Sequence, residues 1–381
     1  MGFEKVVAET TPPLWRSVRE QFPVTRNLVY LNHASIAPLC KPAADAMSGF
    51  SEDALLYGSL HYPVWLEAYE RLRRGAAQLI HADASEIALL KNTSEGVATV
   101  ALGIDWRPGD RVVVFQEEFP ANYFPWKRLE AKGVHVDCLS VMSSLDRIDE
   151  AARGARLLAI SFVQYVSGFR ANLKAIGEIC RRRGVFFFVD AIQGLGAFPL
   201  DVEEARIDAL AADGHKWLLG PEGCGILYVR KDRLDEIEPV EFGWTNVAGF
   251  NDYTSRDMAL RPDAGRYECG TLNTIGCFGL AASVEFLLGV GVPNIAPAVL
   301  ALGDRLAAGV AAKGYRLMVA RTPESGSGIV SFRRDGVESQ MIVGALEARG
   351  VIAAQRHGWV RASPHFYLSP DEVDRALEAL P

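Results

Sequence analysis

An aspartate and a lysine near the middle of the chain have side chains suited to binding a cofactor that carries an aldehyde. Asp190 follows the strongly apolar residues 185–189, and Lys216 lies in the later segment Asp213-Gly214-His215-Lys216-Trp217. A lysine amine can form a Schiff base with a cofactor aldehyde, and a carboxylate can keep a pyridine nitrogen protonated. Burying Asp190 without a cationic partner would be costly, so such a partner is expected. The pair therefore predicts pyridoxal phosphate (PLP) chemistry.

A polar segment ahead of an apolar helix offers a site for the phosphate of such a cofactor. Residues 91–97 read Lys-Asn-Thr-Ser-Glu-Gly-Val and lead into the apolar residues 97–102. Phosphates bind at helix N-termini, where backbone N–H groups and small hydroxyl side chains can donate hydrogen bonds. Taken alone, Thr93 and Ser94 are better explained as a helix cap. Because the same chain also contains Lys216, a phosphate site becomes the better interpretation of Thr93 and Ser94 than a helix cap alone.

Apolar runs alternate with helical patterns through the first two thirds of the chain. The strand-like runs are residues 111–115, 157–162, 185–189 and 225–229. Continuous apolar runs are typical of strands that are buried on both faces. Between two of them, Leu173, Ile176 and Cys180 fall at helical spacing and Gly184 ends the helix. This pattern predicts an α/β fold with a mainly parallel sheet, whose ligand lies at the strand carboxyl ends, where Asp190 stands.

The length of 381 residues predicts a large domain with a smaller companion. We expect an N-terminal segment at residues 1–30 that packs with the small domain, a large cofactor-binding domain at 31–270, and a small α+β domain at 271–381. The small domain has helical segments near 278–313, a strand at 328–332, and a final helix. Ser369, Pro370 and Glu372 give that last helix a capping box with proline in its first turn.

Composition argues against several classes of partner. A net charge of −7 and a pI near 5.6, without a long basic run, argue against nucleic acid and an anionic membrane. The apolar stretch 276–292 contains Glu285 and meets Pro293, so it predicts a buried helix and no membrane span. Residues 1–6 have no secretion signal. Six scattered cysteines predict a cytoplasmic protein without a metal site or disulfides. They are Cys40, Cys138, Cys180, Cys224, Cys269 and Cys277.

Six motifs together resemble one enzyme family. They lie at residues 30–35, 92–96, 190–193, 213–217, 266–271 and 361–365. In this order the chain is similar, nearly end to end, to the class V aminotransferase group of fold type I PLP enzymes, which includes cysteine desulfurases, isopenicillin N epimerase and kynureninase. The resemblance implies a fold type I PLP-dependent transferase, with a large domain built on a mainly parallel sheet and a smaller α+β domain. It also implies a homodimer with shared active sites.

The resemblance also implies roles for residues that would bind the cofactor. Lys216 would be the Schiff base and proton shuttle, and Asp190 would pair with the pyridinium nitrogen. Gln193 would hydrogen-bond the ring oxygen, and Phe119 would stack on the ring in place of the histidine of desulfurases. The phosphate would be bound by Thr93, Ser94 and His215, and by Thr271 of the neighbouring subunit.

Substrate contacts are implied for other residues. Arg361 corresponds to the arginine that receives the substrate α-carboxylate, for which its planar fork is suited. Asn32 and His33 would also contact the substrate, and Gln164, Tyr165 and Arg170 align with a segment that faces the site. Asp213 stands where desulfurases have a serine near the phosphate, so repulsion of the phosphate is expected there.

The reaction itself is left open between several types. We expect a PLP enzyme acting at Cα of a small amino acid, either an aminotransferase or an enzyme like isopenicillin N epimerase. The alternatives are a C–S or C–Se lyase of desulfurase type and a PLP-binding protein without turnover. Desulfurases carry a nucleophilic cysteine shortly before the carboxylate-binding arginine. Residues 350–361 contain no cysteine, so no catalytic persulfide is predicted.

Overall fold

The structure, a computed structural model, describes residues 13–381. The helices within them are α1 (Leu14–Val18), α2 (Lys41–Tyr57), α3 (Tyr62–Ile80), α4 (Thr93–Gly103), α5 (Phe124–Arg128), α6 (Leu145–Ala152), α7 (Leu173–Arg183), α8 (Thr274–Val290), α9 (Val292–Ala312), α10 (Ser339–Glu347) and α11 (Pro370–Glu378). The strands are β1 (Val29–Tyr30), β2 (Ile87–Leu90), β3 (Arg111–Phe115), β4 (His135–Leu139), β5 (Leu157–Ser161), β6 (Phe186–Asp190), β7 (Ala209–Asp213), β8 (Gly225–Val229), β9 (Arg316–Leu317), β10 (Val330–Arg333), β11 (Val351–Ile352), β12 (Ala354–Arg356) and β13 (Trp359–Ala362). The prediction about residues 1–6 lies outside the described residues.

A central sheet orders its strands β2-β8-β7-β6-β5-β3-β4. Only β8 runs against its neighbours, so the predicted α/β class with a mainly parallel sheet is confirmed. In β6, Phe187 and Val189 point into one hydrophobic core and Phe186 and Phe188 into the other. Side chains alternate between the faces of a strand, so a run that is apolar throughout fits a sheet covered on both sides.

Most element boundaries follow the sequence signals. Gly184 adopts φ 66° at the C-terminal end of α7, a left-handed conformation that glycine takes at little cost. Ser369 and Glu372 form the predicted capping box of α11. Helix α4 differs, because it begins at Thr93 and the prediction began it at Val97. The side chain of Asn92 accepts the Glu95 N–H at 2.9 Å, which starts the helix one turn earlier.

A second, four-stranded antiparallel sheet in the order β12-β13-β10-β9 lies in the C-terminal part of the chain. The N-terminal segment packs against this part. Phe22 stacks on Tyr367 with ring centroids 3.7 Å apart, Arg19 pairs with Glu372 at 2.7 Å, and β1 pairs with β11. These contacts involve residues 19–30, and the expected packing of the whole segment 1–30 with a small domain stays a prediction. Helix α8 packs on α2 and α3. The predicted domain boundary at residue 271 would separate α8 from these two helices. The domain limits stay a prediction.

Two apolar helices account for the hydrophobic stretch near residue 290. Helix α8 is a buried helix, as predicted, with Leu280 and Leu287 fully enclosed. Within the described part of the chain, α9 is long and apolar enough, by length and composition alone, to cross a membrane. Its buried face packs on α11 and the small sheet, and its Arg305 pairs with Asp374 of α11 at 2.7 Å. These contacts are those of a core helix.

A buried ion pair ties α3 to the chain that leads toward Thr271. Arg73 Nη1 donates to Glu268 Oε1 at 2.8 Å, and both side chains are buried. The backbone N–H of Leu89 in β2 donates to the same carboxylate oxygen at 2.8 Å. Glu268 therefore fastens its segment to both a helix and the central sheet.

We predict that Arg73→Met lowers the free energy of unfolding by about 3 kcal/mol, because the buried Glu268 carboxylate then loses its nearer cation and keeps only Arg261, at 3.8 Å. The neighbouring Arg74 is the matched control, since its pair with Glu67 is half exposed. Arg74→Met should cost less than about 1 kcal/mol. Urea-induced unfolding measures both variants, and equal effects would contradict the interpretation.

Candidate active site

A cavity of about 290 Å³ opens at the carboxyl edge of the central sheet. Strand β6 ends at Asp190, and Lys216 follows the end of β7; both line the cavity. Thr93 and Ser94 at the start of α4, and Phe119 after β3, line it as well. The cavity therefore lies at the carboxyl ends of parallel strands, the position at which the sequence analysis expects a ligand; its use as the active site stays a prediction.

Asp190 and Lys216 each change the proton affinity of the other. Burial raises the pKa of Asp190 to about 6, against the opposing effects of the Ile192 N–H and Lys216. Burial lowers the pKa of Lys216 to about 8, and Asp190 acts in the opposite direction. Lys216 makes no ion pair with any residue of 13–381. Its amine is neutral in a large fraction of molecules near pH 8, which is the form that attacks an aldehyde.

The start of α4 presents free donors to the cavity. The first four N–H groups of a helix have no partner within it, and Asn92 takes those of Glu95 and Gly96. The buried hydroxyl of Thr93 has no hydrogen-bond partner within the described residues. A Cβ at Gly96 would lie 2.6 Å from the Cβ of Ala211, so glycine lets this turn approach β7 closely. Unpaired donors at a helix N-terminus fit the phosphate of PLP.

His215 and Asp213 face one another at this end of the cavity. His215 Nδ1 lies 3.1 Å from Asp213 Oδ1, but the two atoms are not aligned for a hydrogen bond and both are buried without one. The repulsion of a phosphate by Asp213 and the phosphate role of His215 both stay predictions.

The side chain of Gln193 is held in one orientation. Its Nε2 donates to the carbonyl of Ala34 at 2.9 Å, and its Oε1 accepts from Trp217 Nε1 at 3.0 Å. The amide lines the cavity and keeps a second N–H for a ligand oxygen. This arrangement suits the predicted contact with the ring oxygen of the cofactor.

Arg361 reaches the cavity from β13 of the small sheet. It is 2% exposed, and it donates to the Tyr165 carbonyl at 2.7 Å and to Ser35 Oγ at 2.6 Å. Its Nε has no partner, and it makes no ion pair with any residue of the described chain. Burial, together with Arg356, lowers the pKa of Arg361 to about 9, so the group is charged at neutral pH. A buried guanidinium without a carboxylate is suited to receive one from a ligand.

Five residues that the resemblance placed at the site, Gln164 and Arg170 among them, do not line the cavity. His33 is fully buried, with Nδ1 2.7 Å from the Ser363 carbonyl and Nε2 2.6 Å from the Tyr367 hydroxyl. Burial lowers the pKa of His33 to about 4, so it is a neutral packing residue and direct substrate contact is not proposed for it. Asn32 forms an isolated parallel β-bridge with Ser363 and does not line the cavity. Thr271 lines a different cavity on the same chain.

The structure adds residues that the sequence did not single out. Ser35 and Arg356 line the same cavity as Lys216. Glu118 is buried behind it and accepts the Ser161 N–H at 2.6 Å; burial raises the pKa of Glu118 to about 8. His357 and Gly358 form a two-residue hairpin turn with positive φ at both residues. His-Gly is not among the dipeptides that signal such a turn, so the sequence did not place Arg356 and Arg361 on neighbouring strands.

Comparison with known proteins identifies relatives along the whole chain. The family model for aminotransferase class-V matches residues 29–375. A probable cysteine desulfurase of Methanothermobacter thermautotrophicus is 32% identical over 390 residues, covering 95% of this chain and 96% of the relative. The uncharacterized aminotransferase YcbU of Bacillus subtilis is 30% identical over 374 residues, with the same coverage.

Solved structures share the fold. The apo structure of a cysteine desulfurase from Thermococcus onnurineus NA1 superposes with a TM-score of 0.88 at 26% identity, covering 98% of each chain. A variant of the C-DES protein with glycine covalently linked to its PLP cofactor has a TM-score of 0.88 at 23% identity, covering 97% of this chain and 98% of that one. The second likeness supports the fold alone. The predicted fold type I architecture is confirmed.

We predict that Thr93→Val weakens PLP binding about 10- to 100-fold, because a hydrogen bond to a charged group contributes about 1.5 to 3 kcal/mol. Valine keeps the shape of threonine and removes the hydroxyl. Thr99→Val is the control, since Thr99 lies in the same helix and donates only to the Glu95 carbonyl at 2.9 Å. Absorbance titration of the apoprotein with PLP measures both, and equal affinities would remove Thr93 from the phosphate site.

Proposed function

The chain belongs to the aminotransferase class-V family, and from this premise we propose that it is a PLP-dependent aminotransferase acting at Cα of a small amino acid. When bound, PLP supplies an aldehyde that condenses with amines and a ring that accepts the electron pair released at Cα. The main support for the proposal is that the Lys216 amine, which forms no ion pair with residues 13–381, lies in one cavity with Asp190 and Arg361.

Each of these three residues has a separate task. The Lys216 amine, with its pKa of about 8, accepts a proton from Cα and returns it. The Asp190 carboxylate holds the proton on the ring nitrogen of the cofactor. Burial strengthens the electrostatic contact between these two groups because solvent does not screen it. Arg361 binds the α-carboxylate through its free donors.

Phe119 favours transamination over epimerisation. Epimerisation needs a proton donor and an acceptor on opposite sides of Cα. Transamination needs only one amine on one side, which would move a proton between Cα and the aldehyde carbon of the cofactor. The family resemblance puts Phe119 where desulfurases stack a histidine, and a phenyl ring carries no titratable proton. Its ring centroid lies 5.7 Å from Lys216 Nζ. Phe119 would then supply no second proton-transfer group at the position where desulfurases have a histidine.

A lyase of C–S or C–Se type is the second candidate, and one contact favours it. Tyr165 Oη and His357 Nε2 lie 2.6 Å apart, and Tyr165 lines the cavity while His357 lies beside it. A proton donor near the departing atom assists the elimination of a thiol or selenol. This pair could supply it without a protein cysteine.

Thr271 supports a shared site in a homodimer. It lines a cavity of about 350 Å³ with Tyr62, Trp244 and Tyr253, and Tyr253 is 76% exposed. Large exposed apolar groups that cluster together mark interaction surfaces. A second copy of the chain would cover them and bring Thr271 to the phosphate of the neighbouring site.

We predict that Lys216→Ala abolishes turnover and the borohydride-reducible linkage to PLP, because residues 13–381 then place no other lysine amine at the cavity to take either role. Lys174→Ala is the control, since Lys174 is exposed and pairs with Glu204. Holoenzyme is assayed against a panel of amino acids for keto acid, for sulfide or selenide with ammonia, and for racemised product. With an acceptor keto acid present, a new keto acid formed without ammonia supports the aminotransferase. Sulfide or selenide released together with ammonia supports the lyase instead, because elimination also yields a keto acid.

An unresponsive holoprotein would be evidence for the non-catalytic alternative. In that case the absorption spectrum of bound PLP would not change with any amino acid. A pyridoxyl group mapped to another lysine after borohydride treatment would overturn the assignment of Lys216.

We further predict that incubation with L-cysteine yields no turnover-competent protein persulfide. The lining of the Lys216 cavity includes no cysteine, and β12 connects to β13 through His357 and Gly358 alone. Persulfide-selective alkylation with mass spectrometry measures this. Cys269→Ser should leave turnover unchanged, and a persulfide on Cys269 or Cys224 that turns over would contradict the prediction.

A further inference from the structure

Two arginines share one face of a tight hairpin at the cavity. Strands β12 and β13 pair Ala354 with Arg361 and Arg356 with Trp359. Directly paired residues lie on the same face, and so do residues two apart on one strand. Arg356 and Arg361 therefore lie diagonally on one face, and both line the cavity that holds Lys216.

The two guanidinium groups converge on a single hydroxyl. Ser35 Oγ lies 2.6 Å from Arg361 Nη2 and 3.1 Å from Arg356 Nη2. Their other acceptors are backbone carbonyls, of Tyr165 at 2.7 Å and of Gln355 at 2.8 Å. Across residues 13–381, neither arginine forms an ion pair. Two positive charges thus stand side by side with only neutral partners.

The acidic residues of the cavity have other tasks. Asp190 is assigned to the ring nitrogen of the cofactor, and Asp213 lies 3.1 Å from the imidazole of His215. Adjacent cations in a partly desolvated site repel each other until anions enter. One α-carboxylate offsets one of the two charges. The other charge calls for a second anionic group on the ligand.

We propose that the substrate is an amino acid whose side chain ends in a carboxylate or a comparable oxyanion, with Arg356 holding that group and Arg361 holding the α-carboxylate. This inference rests on the proposed function. Arg361 is the more deeply buried of the two, whereas Arg356 is only partly buried and ends its strand at the hairpin turn. The outer position suits the distal end of a side chain, and the Tyr165–His357 pair flanks it.

The test uses two amino acids that cannot lose a Cα proton. α-Methylaspartate and isovaline both carry a methyl group at Cα, and isovaline has a methyl where α-methylaspartate has its side-chain carboxylate. Each is titrated into wild-type holoenzyme, and binding is read from the absorption of PLP. We expect α-methylaspartate to bind about 10- to 100-fold more tightly, as for a charge-assisted hydrogen bond.

Two variants separate the roles of the arginines. Arg356→Gln should remove the preference for α-methylaspartate and leave isovaline affinity unchanged, whereas Arg361→Gln should weaken both ligands. The control is Arg316→Gln, because Arg316 lies on the same small sheet in an exposed position and outside the cavity lining. That variant should behave as wild type.

Each result decides a different point. Equal affinity of wild type for the two ligands overturns this inference while leaving the proposed function intact, and so does an Arg356→Gln variant that weakens both ligands equally. The latter result would assign both arginines to the α-carboxylate. If the cofactor spectrum of wild-type holoenzyme responds to no amino acid at all, the proposed function fails and this inference with it.

Discussion

The burial of opposite charges at the end of an apolar sheet is the constraint on which the site depends. A carboxylate and an amine taken out of water are each costly, and each is stabilised by the other. Strands β6 and β7 are apolar up to their last residues, Asp190 and Asp213, and Lys216 follows β7. Asp190 and Lys216 therefore lie in one cavity where the solvent-free core ends, without forming an ion pair. The same burial brings the pKa values of the two groups to about 6 and about 8. Helix packing that keeps water out therefore also sets the proton chemistry.

The small sheet completes the site through contacts that are far apart in sequence. Strand β1 pairs with β11, and Phe22 stacks on Tyr367, so residues 22–30 are held against the C-terminal part of the chain. His33 lies between Ser363 and Tyr367 with both ring nitrogens occupied. This interior network fixes the strand that carries Arg361. Residues outside the cavity lining thus fix the position of Arg361 relative to Lys216, and this position sets the length of substrate that the cavity can hold.

The fold was predictable because its signals are local, and parts of the site were not because they depend on side-chain direction. Apolar runs and the Gly184 helix end predicted the parallel sheet, and the residues around Asp190 and Lys216 predicted its functional edge. His33 lies in a family motif, but burial, which sequence does not report, makes it a packing residue. Arg356 was overlooked because its importance comes from strand register and from a shared contact with Ser35.

The hairpin between β12 and β13 turns through only two residues, His357 and Gly358, with φ of 49° and 78°. Such a turn has few alternative conformations, so the arginine pair is oriented before any ligand arrives. A receptor that needs no ordering step binds at a rate governed by diffusion and long-range attraction. Association with an anionic ligand should therefore slow as ionic strength rises, while the dissociation step, set by short-range contacts, changes little.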